Sequence, residues 1–78
     1  MELKEYLEFI ARHLVDHPEQ VVLEDQVRDD KIILTLHVAE TDVGKVIGRK
    51  GRTAQAMRIL LAAVAAREGK RVILEIAE

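Results

Sequence analysis

The chain has no cysteine and no tryptophan, a single proline, and two aromatic residues, Tyr6 and Phe9. Without cysteine there is no disulfide framework and no thiolate metal site, which fits a reducing cytoplasm. With both aromatics on one N-terminal segment, a sheet that stacks bases on aromatic rings is not expected. No long hydrophobic run exists. The longest, Ile59 to Ala66, falls far short of the ~20 apolar residues a membrane-spanning helix needs. The opening "MELKEYLEF" is acidic and amphipathic, not basic and then apolar, so no secretory signal is expected. These absences are compatible with a reducing cytoplasm without proving it, and no membrane partner is expected.

What is present suits one small domain over residues 1–78. A domain of this size buries roughly 60–65% of its unfolded surface. Net charge is −2, but its distribution is uneven. Residues 1–42 carry four Lys/Arg against eleven Asp/Glu, whereas residues 43–78 carry eight against three. The second half is therefore suited to a phosphate-bearing partner despite the acidic total.

Leu3, Leu7, Ile10 and Leu14 share one helical stripe, with acids in the first turns. His17-Pro18 should end this helix. Val21, Leu23 and Val27 alternate, with Asp25 breaking the pattern, and Asp29-Asp30 reads as a tight turn. Ile32, Leu34, Leu36 and Val38 then alternate cleanly, predicting a β-hairpin. Thr41 or Asp42 is placed to cap a short helix through about Ile47. A longer helix is expected from about Arg52 to Glu68, capped by Gly69, and "RVILEIA" reads as a strand. The predicted class is α+β in the order α-β-β-α-α-β.

The segment "VGKVIGRKGRTAQAMR", Val43 to Arg58, holds five cations, no acid and three of the four glycines. Its centre, Gly48-Arg49-Lys50-Gly51, lies between two predicted helices. Glycine at both ends lets the backbone turn sharply and lets another chain approach, while the two cations face outward. The next helix begins at the loop, so its N-terminal N–H groups point the same way. Gly44 thins the preceding helix. Lys45 and Arg52 flank the loop and extend the contact; Arg58, almost two turns further on, is a weaker candidate.

A bare G-x-x-G is weak evidence, but "GKVIGRKGRTAQAMRILL" with a hairpin before and a strand after resembles the KH domain. Loops of this kind clamp about four nucleotides by their backbone in that family. Because only one strand follows the long helix, the element order is similar to the type II KH fold. The resemblance implies a three-stranded mixed sheet with helices packed on one face. The length resembles the small stand-alone bacterial KH-domain RNA-binding proteins, the KhpA group. That likeness implies a cytoplasmic, non-catalytic binder of single-stranded RNA. Its role would be that of a post-transcriptional regulator or RNA chaperone, and it would act as a homodimer or with a larger Jag-type KH protein (KhpB). On this sequence Gly48 and Gly51 would admit the sugar-phosphate backbone and Arg49 and Lys50 would supply charge. Ile47 suits either the apolar groove floor or the core.

The long helix has two apolar stripes. Met57, Leu60, Leu61 and Val64 are expected to cover the sheet. Ile59, Ala62, Ala63 and Ala66 lie roughly opposite and are expected to form a dimer contact, unless the first helix covers them.

Other readings are poorer. The P-loop pattern fails, since Lys45 is followed by Val46 and Gly51 by Arg52. His13 and His17, four apart, have no evident third metal ligand, and His37 lies elsewhere. No cofactor, metal or small-molecule substrate is expected. A protein-interaction module built on the Ala-rich helix face, or a single-stranded DNA binder, is the alternative.

Overall fold

The first helical stripe forms α1, Leu3–Leu14, in the computed structural model, which describes residues 3–77. Leu3, Leu7 and Ala11 are buried along it. The helix stops at Leu14, ahead of Pro18, which instead opens a single 3-10 turn over Pro18–Gln20. That turn uses proline where its missing N–H costs nothing.

Strands β1 (Val22–Arg28) and β2 (Lys31–His37) form the antiparallel hairpin, with Val22 opposite His37 and Arg28 opposite Lys31. Asp29 takes a left-handed φ of 53° at the turn, which Asp tolerates better than most residues. After β2 the chain passes through a 3-10 turn, Glu40–Asp42, into helix α2, Val43–Ile47. The glycine loop follows, then helix α3 (Arg52–Arg67) and strand β3 (Arg71–Ile76). Gly69 ends α3 at φ 71°, with the Gly69 and Lys70 N–H groups bonded to Ala66 and Ala65 carbonyls. That pairing is a Schellman cap.

Strand β3 pairs parallel with β2, giving the order β1-β2-β3 in a mixed sheet. Leu23, Leu34, Leu36 and Leu74 turn to one face and join Leu7, Ala11, Val46, Met57 and Leu61 in the core. Leu7, Leu34, Leu36 and Leu61 are completely enclosed, each contributing about 2 kcal/mol. The opposite sheet face carries no helix, and its β1 positions Val22, Glu24 and Gln26 are exposed.

Two expectations need correction. Val27, placed in the buried alternation, is 68% exposed, because β1 is an edge strand whose distal half outruns the helices. Asp25, the break in that pattern, pairs with Lys4 of α1 instead. Helix α3 buries Ala54, Met57, Leu61 and Ala65, whereas Leu60 and Val64, expected against the sheet, are exposed. The helix is rolled by about half a residue step from the expected orientation. The small side chains Ala54 and Ala65 let it lie close to its neighbours on that face.

Candidate nucleic-acid interface

Helix α2 is only one turn long, and Val46 alone anchors it in the core. The loop after it is built from unusual backbone. Gly48 adopts φ 79°, Lys50 58° and Gly51 73°. A Cβ on Gly48 would lie 2.2 Å from Thr53 Oγ1 and 2.9 Å from Thr53 N, so both space and conformation require glycine. At Gly51 only the conformation requires it, since a Cβ there would meet nothing within 4 Å.

The turn is held by its own backbone. The Gly48 N–H donates to the Gly44 carbonyl at 2.9 Å, and the Gly51 N–H to the Gly48 carbonyl at 3.1 Å. The Arg52 N–H is also spent inside the loop, on the Arg49 carbonyl. Lys50 therefore sits in a left-handed conformation that costs a non-glycine residue about 1 kcal/mol. Strain of this kind gathers at functional turns. The result is a tip with Arg49 and Lys50 both exposed.

Arg49, Lys50 and Arg52 enter no ion pair among the described residues. They form an uncompensated cationic rim at the start of α3. Gly44 is exposed on α2, with open space where a side chain would stand. Ile47 is half-buried and lies outside the buried cluster. Lys45 is different: its Nζ donates to Asp16 Oδ2 at 2.5 Å. That hydrogen bond, reinforced by charge attraction, raises the Lys45 pKa and lowers that of Asp16. Arg58 crosses to the sheet, where Nε and Nη2 approach the Leu74 carbonyl at 3.4 and 3.3 Å. Both contacts are long for hydrogen bonds.

Asp42 was expected, with Thr41, to cap α2. It makes no side-chain cap bond. Its carboxylate, 1% exposed, instead receives the backbone N–H of Asp16 at 3.2 Å and of His17 at 3.0 Å. It thereby fastens the segment after α1 to the base of α2. The available sequence signal was the His17-Pro18 break, which frees N–H groups that must find an acceptor.

The histidines are dispersed. His13 Nδ1 lies 2.8 Å from the Phe9 carbonyl, while His17 lies beyond the end of α1 beside Glu19. His37 pairs across the hairpin with Glu24. On α3, Ile59, Ala62, Ala63 and Ala66 are all exposed, so α1 does not cover them. No helix is long and apolar enough to cross a membrane among the described residues.

Comparison with known proteins agrees with this geometry. The family described as "KhpA/KhpB, KH domain" matches residues 4–76. A protein of Chlamydia muridarum named "RNA-binding protein KhpA" is 47% identical over 76 residues, covering 97% of each chain. One of the same name from Clostridium acetobutylicum is 47% identical over 74 residues, covering 95% of this chain and 99% of the relative. Another, from Borreliella burgdorferi, is 49% identical over 72 residues, covering 92% and 88%. With its mixed sheet, one-sided helices and glycine loop between α2 and α3, the chain belongs to the KhpA/KhpB KH-domain family.

Proposed function

We propose that this protein is a non-catalytic binder of single-stranded RNA, and that the Gly48–Gly51 loop holds the phosphate backbone. The observation that carries the reading is the pairing of two positive-φ glycines with two exposed cations, unpaired among the described residues, at the start of a long helix. Gly44 and Gly51, with open space where a side chain would stand, leave room for a backbone to approach, while Gly48 lets the chain turn against Thr53; Arg49, Lys50 and Arg52 neutralise phosphates, and half-buried Ile47 offers an apolar floor to a base. Lys45 joins them once it leaves Asp16. The relatives' name, RNA-binding protein, supports the choice of polymer.

Few contacts per domain imply weak, salt-sensitive binding with little sequence preference. Joining two domains raises avidity without new contacts. The outward face of α3 offers the surface for this, with Ile59 62%, Leu60 47% and Val64 38% exposed beside Ala62, Ala63 and Ala66. A second copy of the chain is the proposed occupant, and a larger Jag-type KH protein (KhpB) the other. In a cytoplasmic setting such a pair would act as a post-transcriptional regulator or RNA chaperone.

The test compares wild type with Arg49→Asp/Lys50→Asp in binding a labelled single-stranded RNA across a salt series, with folding followed by circular dichroism. Loss of binding by the folded variant is expected, and unchanged binding would reject the loop as the grip. A single-stranded DNA of the same sequence, run alongside, reports whether the sugar is read.

A further inference from the structure

The helix-free face of the sheet is ordered by rows. At one end Arg28 of β1, Lys31 of β2 and Arg71 of β3 stand directly opposite one another in the pairing register. In the next row on this face Ile33 stands between Gln26 and Ile73, and in the one after it Thr35 lies between Glu24 and Glu75. The face thus passes from cationic to apolar to acidic.

Among the described residues the cationic row is unpaired. Arg28, Lys31 and Arg71 are all exposed and join no ion pair among the described residues. Asp29 and Asp30 form the adjoining turn, and Glu68 lies before β3, yet none of these carboxylates pairs with the row. Like charges directly opposite on neighbouring strands, about 5 Å apart, are destabilising. Protection of sheet edges explains cations on β1 and β3. It does not explain Lys31, which lies on the central strand.

We propose that Arg28, Lys31 and Arg71 form a second phosphate-contact site, which takes the backbone of a single-stranded RNA running across the strands. The inference rests on the RNA-binding reading above. Ile33 and Ile73 give bases an apolar strip beside the phosphates, and Glu24 and Glu75 bar the strand from running further along the sheet. The site is remote from the loop. Strand β2 runs from Lys31 to His37, about 20 Å. The loop lies toward the His37 end, since Arg58, six residues on from the start of α3, already reaches Leu74 midway along β3, opposite Leu34, and the chain enters α2 and the loop from that end of β2. A strand of about four nucleotides centred on the loop is expected to fall short of the row, whereas a strand several times longer reaches it.

The experiment measures salt-dependent binding of a four-nucleotide and a long oligouridine to wild type, to Arg28→Gln/Lys31→Gln/Arg71→Gln, and to Arg49→Asp/Lys50→Asp. For the row variant the log–log salt slope with the long RNA should become shallower by about 2, from three lost contacts at ~0.7 each. Its binding of the short RNA should not change. An unchanged slope with the long RNA would overturn the proposal and leave the row as solubilising charge. Equal loss with both RNAs would also overturn it. Long-strand binding that depends on the row but not on the loop would reject the loop reading and retain this one. A wild type that holds neither RNA would overturn both.

Discussion

The carboxylate of Asp42 receives the His17 backbone N–H at 3.0 Å, across 25 positions of chain. It receives the Asp16 N–H as well, and it is almost wholly enclosed. The base of α2, and with it the glycine loop, is therefore fastened to the break after α1.

Asp42→Ala should destabilise the protein by about 3 kcal/mol, because two N–H groups lose their shared side-chain acceptor. Asp42→Asn, which keeps one oxygen, should cost about half as much. Urea denaturation measures both. Equal stability of all three proteins would show that the freed N–H groups reach water without cost.

Gly48 and Gly51 should respond differently to alanine. Gly48→Ala drives a Cβ into Thr53 at positive φ and should cost about 2 kcal/mol or more, with loss of RNA binding. Gly51→Ala meets only the backbone penalty, about 1 kcal/mol. Denaturation and RNA titration of the two variants give the order, and a reversed order would contradict the loop geometry.

Asp16 competes with phosphate for Lys45. Asp16→Asn should steepen the log–log salt slope of RNA binding by about 0.7, one added contact, with little change in melting temperature because the pair is exposed. The Asp16 carboxyl is held below its usual range by the Lys45 hydrogen bond. The pair is therefore intact above the ordinary carboxylate pKa and lost as pH falls through the lowered value. At the other extreme the Lys45 pKa is raised, so the pair is intact below the ordinary lysine pKa and lost as pH rises through the raised value. An NMR titration of both side chains checks the two directions.

Leu60→Asp on the outward face of α3 should yield a monomer by sedimentation. Its folding stability should change by less than about 0.5 kcal/mol, as for exposed sites generally. A wild type that is already monomeric at high concentration would point to the larger KH protein as the occupant of this face.

The order of elements and the glycine loop are legible in the residues alone. Both are local: helical and strand periodicities, the Pro18 break, the Asp29-Asp30 turn and the Gly69 cap each act within a few residues. The cations Arg49, Lys50 and Arg52 were legible for the same reason, since a tight glycine turn leaves its middle residues nowhere to point but outward.

Which stripe of α3 is buried depends on packing between elements. Apolar residues lie on much of that helix, and the roll was set by how closely Ala54 and Ala65 let it pack, not by periodicity. Asp42 had two open choices, capping its own helix or meeting N–H groups far away in the chain, and the second depends on where α1 ends in space. Lys45 and Asp16 met through the same joint. The row of Arg28, Lys31 and Arg71 exists only through strand register. Hydrophobic burial fixes that register by holding Leu23, Leu34, Leu36 and Leu74 on one face, which sends these three cations together to the other.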